Sequence, residues 1–184
     1  MKRSYLMGAV WAFHLLVLLT VACNNESIKP TVTSIQSVLC NVQLPSPKGL
    51  VNDYIQLFSP AEANTLDSLL QKINTKDNVE IAVAAVDSIQ LGTCALEQFS
   101  LELANHWRIG SEKTNNGILF VIVPGLRQIR IENGLGTQVW LSDDQTQNII
   151  DHTIIPYFKL ADYFEGIKQG ILVIEKISYE KAGR

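Results

Sequence analysis

The sequence predicts an α/β domain in which a small mixed sheet carries helices on both faces. Two short, almost wholly apolar runs, at residues 79–86 and 117–123, are typical of strands that are covered on both faces. Between them, residues 94–108 repeat apolar side chains at helical spacing. After a Pro124-Gly125 turn, residues 127–132 alternate between polar and apolar side chains. These three observations set the fold class, and each element can then be justified in chain order.

The first helix is predicted from its start signal. Ser59 can cap the helix, Pro60 suits its first turn, and Glu62 completes a capping box with Ser59. Apolar residues then recur at helical spacing as far as about residue 74. We therefore expect a helix over residues 60–74 that covers one face of the sheet.

The central elements form a strand–helix–strand unit. The helix at 94–108 follows the strand at 79–86, and Gly110 is placed to end it before the strand at 117–123 begins. Strands joined in this way pair in parallel with a right-handed crossover. The alternating strand at 127–132 follows a tight turn, so it should lie antiparallel with one face partly solvated.

Two helices complete the predicted domain. Ser142 and Gln145 form a capping box for a helix that starts at residue 142 and that Pro156 should interrupt. Residues 163–179 repeat apolar positions at helical spacing and form the last helix.

The N-terminus reads as a targeting segment. Lys2 and Arg3 precede an apolar run at residues 6–22, and small Ala22 stands directly before Cys23. This pattern is typical of an export signal, and it resembles a bacterial lipobox in which Cys23 is lipidated and begins the mature chain. Plain secretion, periplasmic release or an uncleaved anchor are the alternatives. We expect a signal peptide at 1–22 and a polar, proline-containing linker at 23–48.

Composition limits the classes of partner that we expect. The chain has 184 residues and a formal net charge of −3, and no basic run exceeds two residues. A nucleic-acid surface needs clustered Lys and Arg, so nucleic acid is not an expected partner. If Cys23 carries lipid, Cys40 and Cys94 remain, and the sequence leaves open whether they form a disulfide or stay separate thiols.

Polar side chains are predicted to gather at one end of the sheet. The hairpin register sets residues 116–117 opposite 133–134, and parallel pairing brings residues 77–78 to the same end. The segment before the first helix is expected to begin there too. An oxygen-rich site for Ca²⁺ or Mg²⁺ follows from this placement. Its candidate ligands are Asp53, Asn116, Glu132, Asp143 and Asp144. The competing interpretation assigns the Asn-Gly pairs to turns and the aspartates to a helix N-terminus.

Several short motifs occur in a characteristic order and spacing. They are Val51-Asn52-Asp53, Trp107-Arg108-Ile109-Gly110, Asn115-Asn116-Gly117-Ile118-Leu119, Glu132-Asn133-Gly134-Leu135-Gly136, Ile154-Ile155-Pro156 and Asp162-Tyr163. Together they resemble the TPM domain family over residues 49–178, which leaves 179–184 as a tail.

The resemblance implies a three-layer α/β/α sandwich. Some members bind Ca²⁺ or other divalent ions at one end of the sheet and resemble acid phosphatases in activity. It also implies that Asp53, Asn116, Glu132 and Asp143 match acidic or amide positions of the family motifs. The chain departs from the family pattern at two places. Asn115 and Asn116 are both neutral, and Asn133 follows Glu132, which weakens a metal site.

Two functional hypotheses remain at this point. In the first, a membrane-tethered envelope domain binds a divalent cation and has weak acid phosphatase activity, with Asp143 or Asp144 as a ligand or a base. In the second, a non-enzymatic interaction module assists the assembly, repair or regulation of a membrane protein complex. The sequence shows no obvious nucleophile or histidine base, which favours the second hypothesis slightly.

Overall fold

The computed structural model describes residues 42–76 and 78–181, and both stretches belong to one compact unit of the chain. The predicted signal peptide, the lipidation candidate Cys23 and Cys40 lie outside the described residues. Cys94 is disulfide-bonded, and its partner also lies outside them.

A four-stranded mixed sheet forms the centre of the domain, with the strand order β1-β2-β3-β4. The first three strands are parallel, and β4 runs antiparallel to β3, as predicted. The strand β1 was not anticipated, because it has only three residues and two of them are polar. The strands are β1 (Val51–Asp53), β2 (Glu80–Ala85), β3 (Gly117–Val123) and β4 (Gln128–Asn133).

The predicted helices are present, together with short ones that the sequence did not indicate. They are α1 (Pro60–Lys76), α2 (Ser88–Leu91), α3 (Leu96–Trp107), α4 (Leu135–Gln138), α5 (Asp143–Ile149), α6 (Ile155–Phe158) and α7 (Tyr163–Lys181). Both predicted capping boxes form, at Ser59 with Glu62 and at Ser142 with Gln145.

The interruption expected at Pro156 takes the form of a wider helical turn. Residues 150–154 form a π-helical turn that joins α5 to α6 just before Pro156. Proline lacks an N–H and its ring crowds the preceding turn, so a widened turn accommodates it without ending the helical path. Within residues 42–76 and 78–181, none of the helices has both the length and the apolar character that crossing a membrane requires.

Helices cover the sheet on both faces and produce a three-layer α/β/α arrangement. One face packs against α1, α7 and the α5–α6 segment, through residues such as Leu66, Leu70, Ile167 and Ile171. The other face packs against α3 through Phe99 and Leu103. Every residue of β3 is buried, which explains its uninterrupted apolar sequence.

Residues 42–48, which the sequence assigns to the linker, pack along the α3 side of the domain. Val42 and Leu44 contact the apolar cluster under α3. The indole Nε1 of Trp107 donates to the Pro45 carbonyl at 2.7 Å, and the Tyr54 hydroxyl donates to the Ser46 carbonyl. Residues 42–48 therefore pack against the domain before β1 begins.

Two ends of the sheet are distinguished below. The open end contains the starts of β2 and β3, the finish of β4 and the loops at 108–116 and 134–138. The turn end contains Asp53, α2, the 3₁₀ turn at 124–126 and Arg127.

Candidate functional site

Glycines let three backbone segments pack closely at the open end. The Gly134 N–H donates to the Gly117 carbonyl at 2.8 Å, and the Gly136 N–H donates to the Asn115 carbonyl at 2.9 Å. A Cβ on Gly134 would overlap the Asn115 carbonyl, and one on Gly136 would overlap the Thr114 carbonyl. The glycines predicted to face each other do so, and their role is close backbone contact.

Asn116 fastens two loops at this end. Its Nδ2 donates to the Asn78 carbonyl at 2.6 Å, and its Oδ1 accepts from the Ser111 N–H at 2.8 Å. Its amide oxygen is therefore already engaged by the backbone.

Asp53 lies at the turn end, so the prediction that it shares an end with Asn116 is wrong. It pairs with Ala85, the last residue of β2, whereas Asn116 precedes β3. The cause is the unrecognised strand β1, which runs parallel to β2 and carries Asp53 to the carboxyl edge of the sheet. There the Asp53 carboxylate accepts from the Ile55 N–H at 3.1 Å and from the Phe58 N–H at 2.8 Å. It shapes the turn that leads into α1.

The side chain of Glu132, on β4, lies against α3 at the open end. The Arg130 Nε and the Ser100 hydroxyl each lie 2.7 Å from its Oε1. The side chain is 13% exposed. No described residue donates a hydrogen bond to Oε2, so one carboxylate oxygen is left for solvent or a ligand.

Arg130 carries the positive charge at the centre of this group. Partial burial by itself would lower its pKa, but the hydrogen bond and charge of Glu132 and the charges of Glu97 and Asp143 outweigh it and raise the pKa. Its Nη1 lies 3.0 Å from Glu97 Oε1. Glu132 is thus neutralised by a side chain that stays cationic at any physiological pH.

Asp143 and Asp144 lie in the first turn of α5, directly after the capping residue Ser142. Carboxylates at this position interact favourably with the helix dipole. Asp143 also borders Arg130 and Thr146 in a small surface pocket, on the edge of the sheet that β4 forms.

Asn133 contributes a polar atom with no partner. Its Nδ2 donates to Thr146 Oγ1 at 2.7 Å, while its Oδ1 is buried and has no hydrogen-bond donor among the described residues. Asp143 precedes Thr146 by three positions and therefore shares its helix face.

The predicted ligands do not form one cation site in this arrangement. Asp53 lies at the other end of the sheet, Asn116 Oδ1 accepts a backbone hydrogen bond, and Glu132 is paired with Arg130. The described residues also contain no group of three His, Cys, Asp or Glu side chains that could hold a metal ion. The five predicted residues do not fit a single ion.

The open end instead contains a cleft of about 340 Å³ between α3 and the segment from β4 to α4. Its apolar wall comprises Leu101, Ala104, Ile109 and Leu119. Asn105, Asn115 and Gln138 add amide groups. Among the described residues that line it, Glu132 is the one with an ionisable side chain. Such a site suits a ligand that combines apolar groups with hydrogen-bond donors.

Large apolar side chains are exposed around the cleft. Leu135 is 72% exposed on one rim and Leu101 is 48% exposed on the other, and Val139 follows α4 with 86% exposure. Exposed apolar groups beside a concave site favour contact with another molecule.

Sequence reasoning missed most of the cleft. Arg130 and Glu132 are two apart on an alternating strand, so they share one face, and this signal was available. The contribution of α3 through Ser100, Leu101 and Asn105 depends on how that helix packs across the sheet, which periodicity alone does not give.

The fold and the cleft define an α/β/α domain with a polar-apolar site at the open end of its sheet. The TPM domain model matches residues 51–177, and the chain belongs to this family. No curated protein matches the chain.

Solved structures share the fold. The N-terminal domain of a protein from P. gingivalis is 33% identical, with a TM-score of 0.64, over 74% of this chain and 92% of that one. The BA42 protein from Bizionia argentinensis has a TM-score of 0.61 at 15% identity, over 69% of this chain and 85% of that one. The N-terminal domain of the cg2496 protein from Corynebacterium glutamicum has a TM-score of 0.54 at 14% identity, over 76% and 86%.

Proposed function

We propose that this TPM domain is an interaction module, tethered to the membrane in the bacterial cell envelope, whose open-end cleft binds a segment of a partner protein. The partner belongs to a membrane complex that the module helps to assemble, repair or regulate. The observation that carries the proposal is the cleft itself, which is lined by apolar side chains, by the exposed Leu135 and by Glu132, whose Oε2 accepts no hydrogen bond from the described residues.

The chemistry of the cleft specifies the segment. An apolar side chain of the partner would pack against Leu101, Ala104 and Ile109. A backbone or side-chain N–H would donate to Glu132 Oε2, and this bond to a carboxylate is stronger than one to a neutral acceptor. Because Arg130 already neutralises Glu132, the cleft does not need a cationic ligand.

The tether is supported by the N-terminal pattern. Lys2, Arg3 and the apolar run up to Ala22-Cys23 favour export and lipidation of Cys23. The disulfide-bonded Cys94 agrees with an oxidising compartment outside the cytoplasm. Intact-mass analysis of the membrane-extracted protein tests this part. A mature chain that begins elsewhere, without added acyl mass, rules it out.

The binding function is tested by filling the cleft. Asn105 is exposed on α3 and lines the cleft, so Asn105→Trp should block it with little effect on folding. Asn148→Trp on α5 is a matched control, because Asn148 is also an exposed helical asparagine. Tagged full-length chains would be purified from the membranes of the native host after mild cross-linking. We expect one defined partner with wild type and with Asn148→Trp, reduced at least fivefold with Asn105→Trp. Equal recovery with all three chains would contradict the proposal.

A divalent cation is the second candidate, and one observation favours it. The buried Oδ1 of Asn133 lacks a donor among the described residues. Asn133 is hydrogen-bonded to Thr146, which lines a pocket with Asp143, and a cation held between them would supply the missing partner. Ca²⁺ or Mg²⁺ held there could support weak acid phosphatase activity. In an NMR titration, saturable Ca²⁺ shifts at residues 143–146 that Asp143→Asn abolishes would support this site. Uniform small shifts would exclude it.

A further inference from the structure

We propose that the turn end of the domain docks on an anionic phospholipid surface through Leu126, Arg127, Lys159 and Leu160. This inference goes beyond the proposed role of the open-end cleft and concerns the opposite end of the sheet.

The turn end exposes apolar side chains that the fold does not use. Leu160 is 79% exposed, Leu126 is 47% exposed, and Ile89 on α2 is also exposed. Leu126 and Leu160 each stand next to a cationic residue in the sequence, Arg127 and Lys159. Apolar groups flanked by Lys or Arg are typical of surfaces that insert shallowly into the headgroup region of a bilayer.

A cavity at this end has a lining that suits a phospholipid headgroup. It has a volume of about 510 Å³ and is lined by Arg127 and Lys159 together with Phe158 and Tyr163. Neither Arg127 nor Lys159 has a carboxylate within 4.0 Å among the described residues, so both charges are available for a phosphate.

Three carboxylates at this end accept backbone hydrogen bonds, and a fourth, Asp151, accepts from the Gln147 side chain and lines a pocket with Arg127. Asp53 accepts from the Phe58 N–H, Asp87 accepts from the Ile89 N–H, and Asp162 accepts from the Glu165 N–H. They reduce the positive field of the turn end but do not pair with its cations. The apolar contact of Leu126 and Leu160 therefore has to supplement the electrostatic attraction.

The path of the chain points in the same direction. The described residues begin at Val42, whose side chain lies against Gly92 between α2 and α3, at the turn end. The proposed lipid-bearing Cys23 precedes Val42 in sequence. A tether that reaches the domain at this end would bring the same end towards the bilayer.

Docking in this orientation would hold the cleft away from the lipid. The strand β3 crosses the sheet from the open end to the turn end in seven residues. At about 3.3 Å per residue, the cleft would stand roughly 20 Å further from the bilayer than the docking surface. It would then face partners that project from the membrane.

The test uses residues 37–184, the compact unit without its lipid anchor. The related P. gingivalis domain was solved as an isolated N-terminal domain in solution, which supports folding of this unit alone. Binding would be measured by flotation with vesicles of phosphatidylglycerol and phosphatidylcholine in equal parts, and with phosphatidylcholine alone. The test variants are Arg127→Glu with Lys159→Glu, and Leu160→Ser. The charge-matched control is Arg108→Glu with Lys113→Glu at the open end, and circular dichroism checks each fold.

We expect salt-sensitive binding to the anionic vesicles only. The turn-end charge reversal should weaken it about tenfold or more, since each cation near an anionic surface accounts for about fivefold. Leu160→Ser should weaken it about threefold, while the open-end control and Asn105→Trp should bind like wild type. Three results would overturn the inference. The first is no flotation with either vesicle, which is the result expected if this end binds a protein instead of lipid. The others are equal binding to neutral and anionic vesicles, and an equal loss of binding in the open-end control.

Discussion

The Nε of Arg130 lies 2.7 Å from Oε1 of Glu132, two residues further along the same strand. The guanidinium already neutralises the carboxylate, which reduces the attraction of Glu132 for a metal ion. The site is therefore better described as a neutralised carboxylate at one side of a binding cleft than as part of a cation cage.

The Arg130–Glu132 pair should be coupled in stability. Arg130→Met removes the guanidinium and leaves a largely buried carboxylate with Ser100 alone, which should cost about 1–3 kcal/mol. In a double-mutant cycle with Glu132→Gln, chemical denaturation should give a coupling of about 1–2 kcal/mol. The control is Glu97→Gln, which breaks only the exposed pair with Arg130 and should cost less than about 0.5 kcal/mol. Purely additive effects of Arg130→Met and Glu132→Gln would show that the pair is not coupled.

Glycine-to-alanine substitutions should lower the stability of the domain where the glycine is closely packed and not where it is on an open surface. Gly134→Ala and Gly136→Ala place a Cβ against a backbone carbonyl that cannot move without displacing its loop. Each should cost about 2 kcal/mol or more, as overpacking of a rigid site does. Gly49→Ala meets no atom within 4 Å and should change the free energy of unfolding by less than about 0.5 kcal/mol. Thermal or denaturant unfolding of the three variants gives the comparison, and a small effect at Gly136 would contradict the described loop packing.

Asp53→Ala should destabilise the domain by the same amount with and without Ca²⁺. Its carboxylate caps the turn before α1 by accepting two backbone N–H groups, so its loss should cost about 1–2 kcal/mol. Thermal melts of wild type and variant, each in EDTA and in millimolar Ca²⁺, make the measurement. A loss of stability that is larger in Ca²⁺ than in EDTA would indicate that Asp53 is a metal ligand.

The capping box at the start of α1 should give a defined pH dependence. Hydrogen bonds from the Ser59 side chain and backbone lower the pKa of Glu62 below its ordinary 4.5. Because the folded pKa is the lower one, this stabilisation is present above about pH 4.5 and is lost as the pH falls through the folded pKa. Compared with Glu62→Gln, wild type should be about 0.5 kcal/mol more stable near neutral pH, a modest value because the side chain is exposed. The difference should vanish in acid, and a difference that persists well below about pH 4 would disprove the assignment.

The sequence predicted those parts of the fold that depend on continuous burial. The runs that became β2 and β3 are apolar because helices cover both of their faces, and the two capping boxes lie within single short segments. The strand β1 was not predicted because Asn52 is polar yet fully buried. Its side-chain amide donates to the nearby Gly49 carbonyl and to the Val83 carbonyl of β2, and no local pattern reveals the second, long-range partner.

The error at β1 also explains the error at the site. Without that strand, Asp53 was expected at the open end, and the carboxylates were expected to converge there. The residues that do converge, among them Ser100, Asn105 and Glu132, come from α3 and β4, which the β-α-β unit brings together only in three dimensions. The glycines pointed to the end of the sheet where the cleft lies, but the metal-binding chemistry that the sequence predicted there is not favoured by the side-chain contacts.

Site-specific photo-cross-linking in intact cells tests the central claim most directly. A photoreactive residue in place of Leu135, on the rim of the cleft, is compared with one in place of Tyr179, which is exposed on α7 away from it. The account predicts a discrete protein adduct at position 135 that Asn105→Trp abolishes, and no such adduct at position 179. The absence of an adduct at 135, or an adduct there that survives with Asn105→Trp, would contradict a partner-binding cleft.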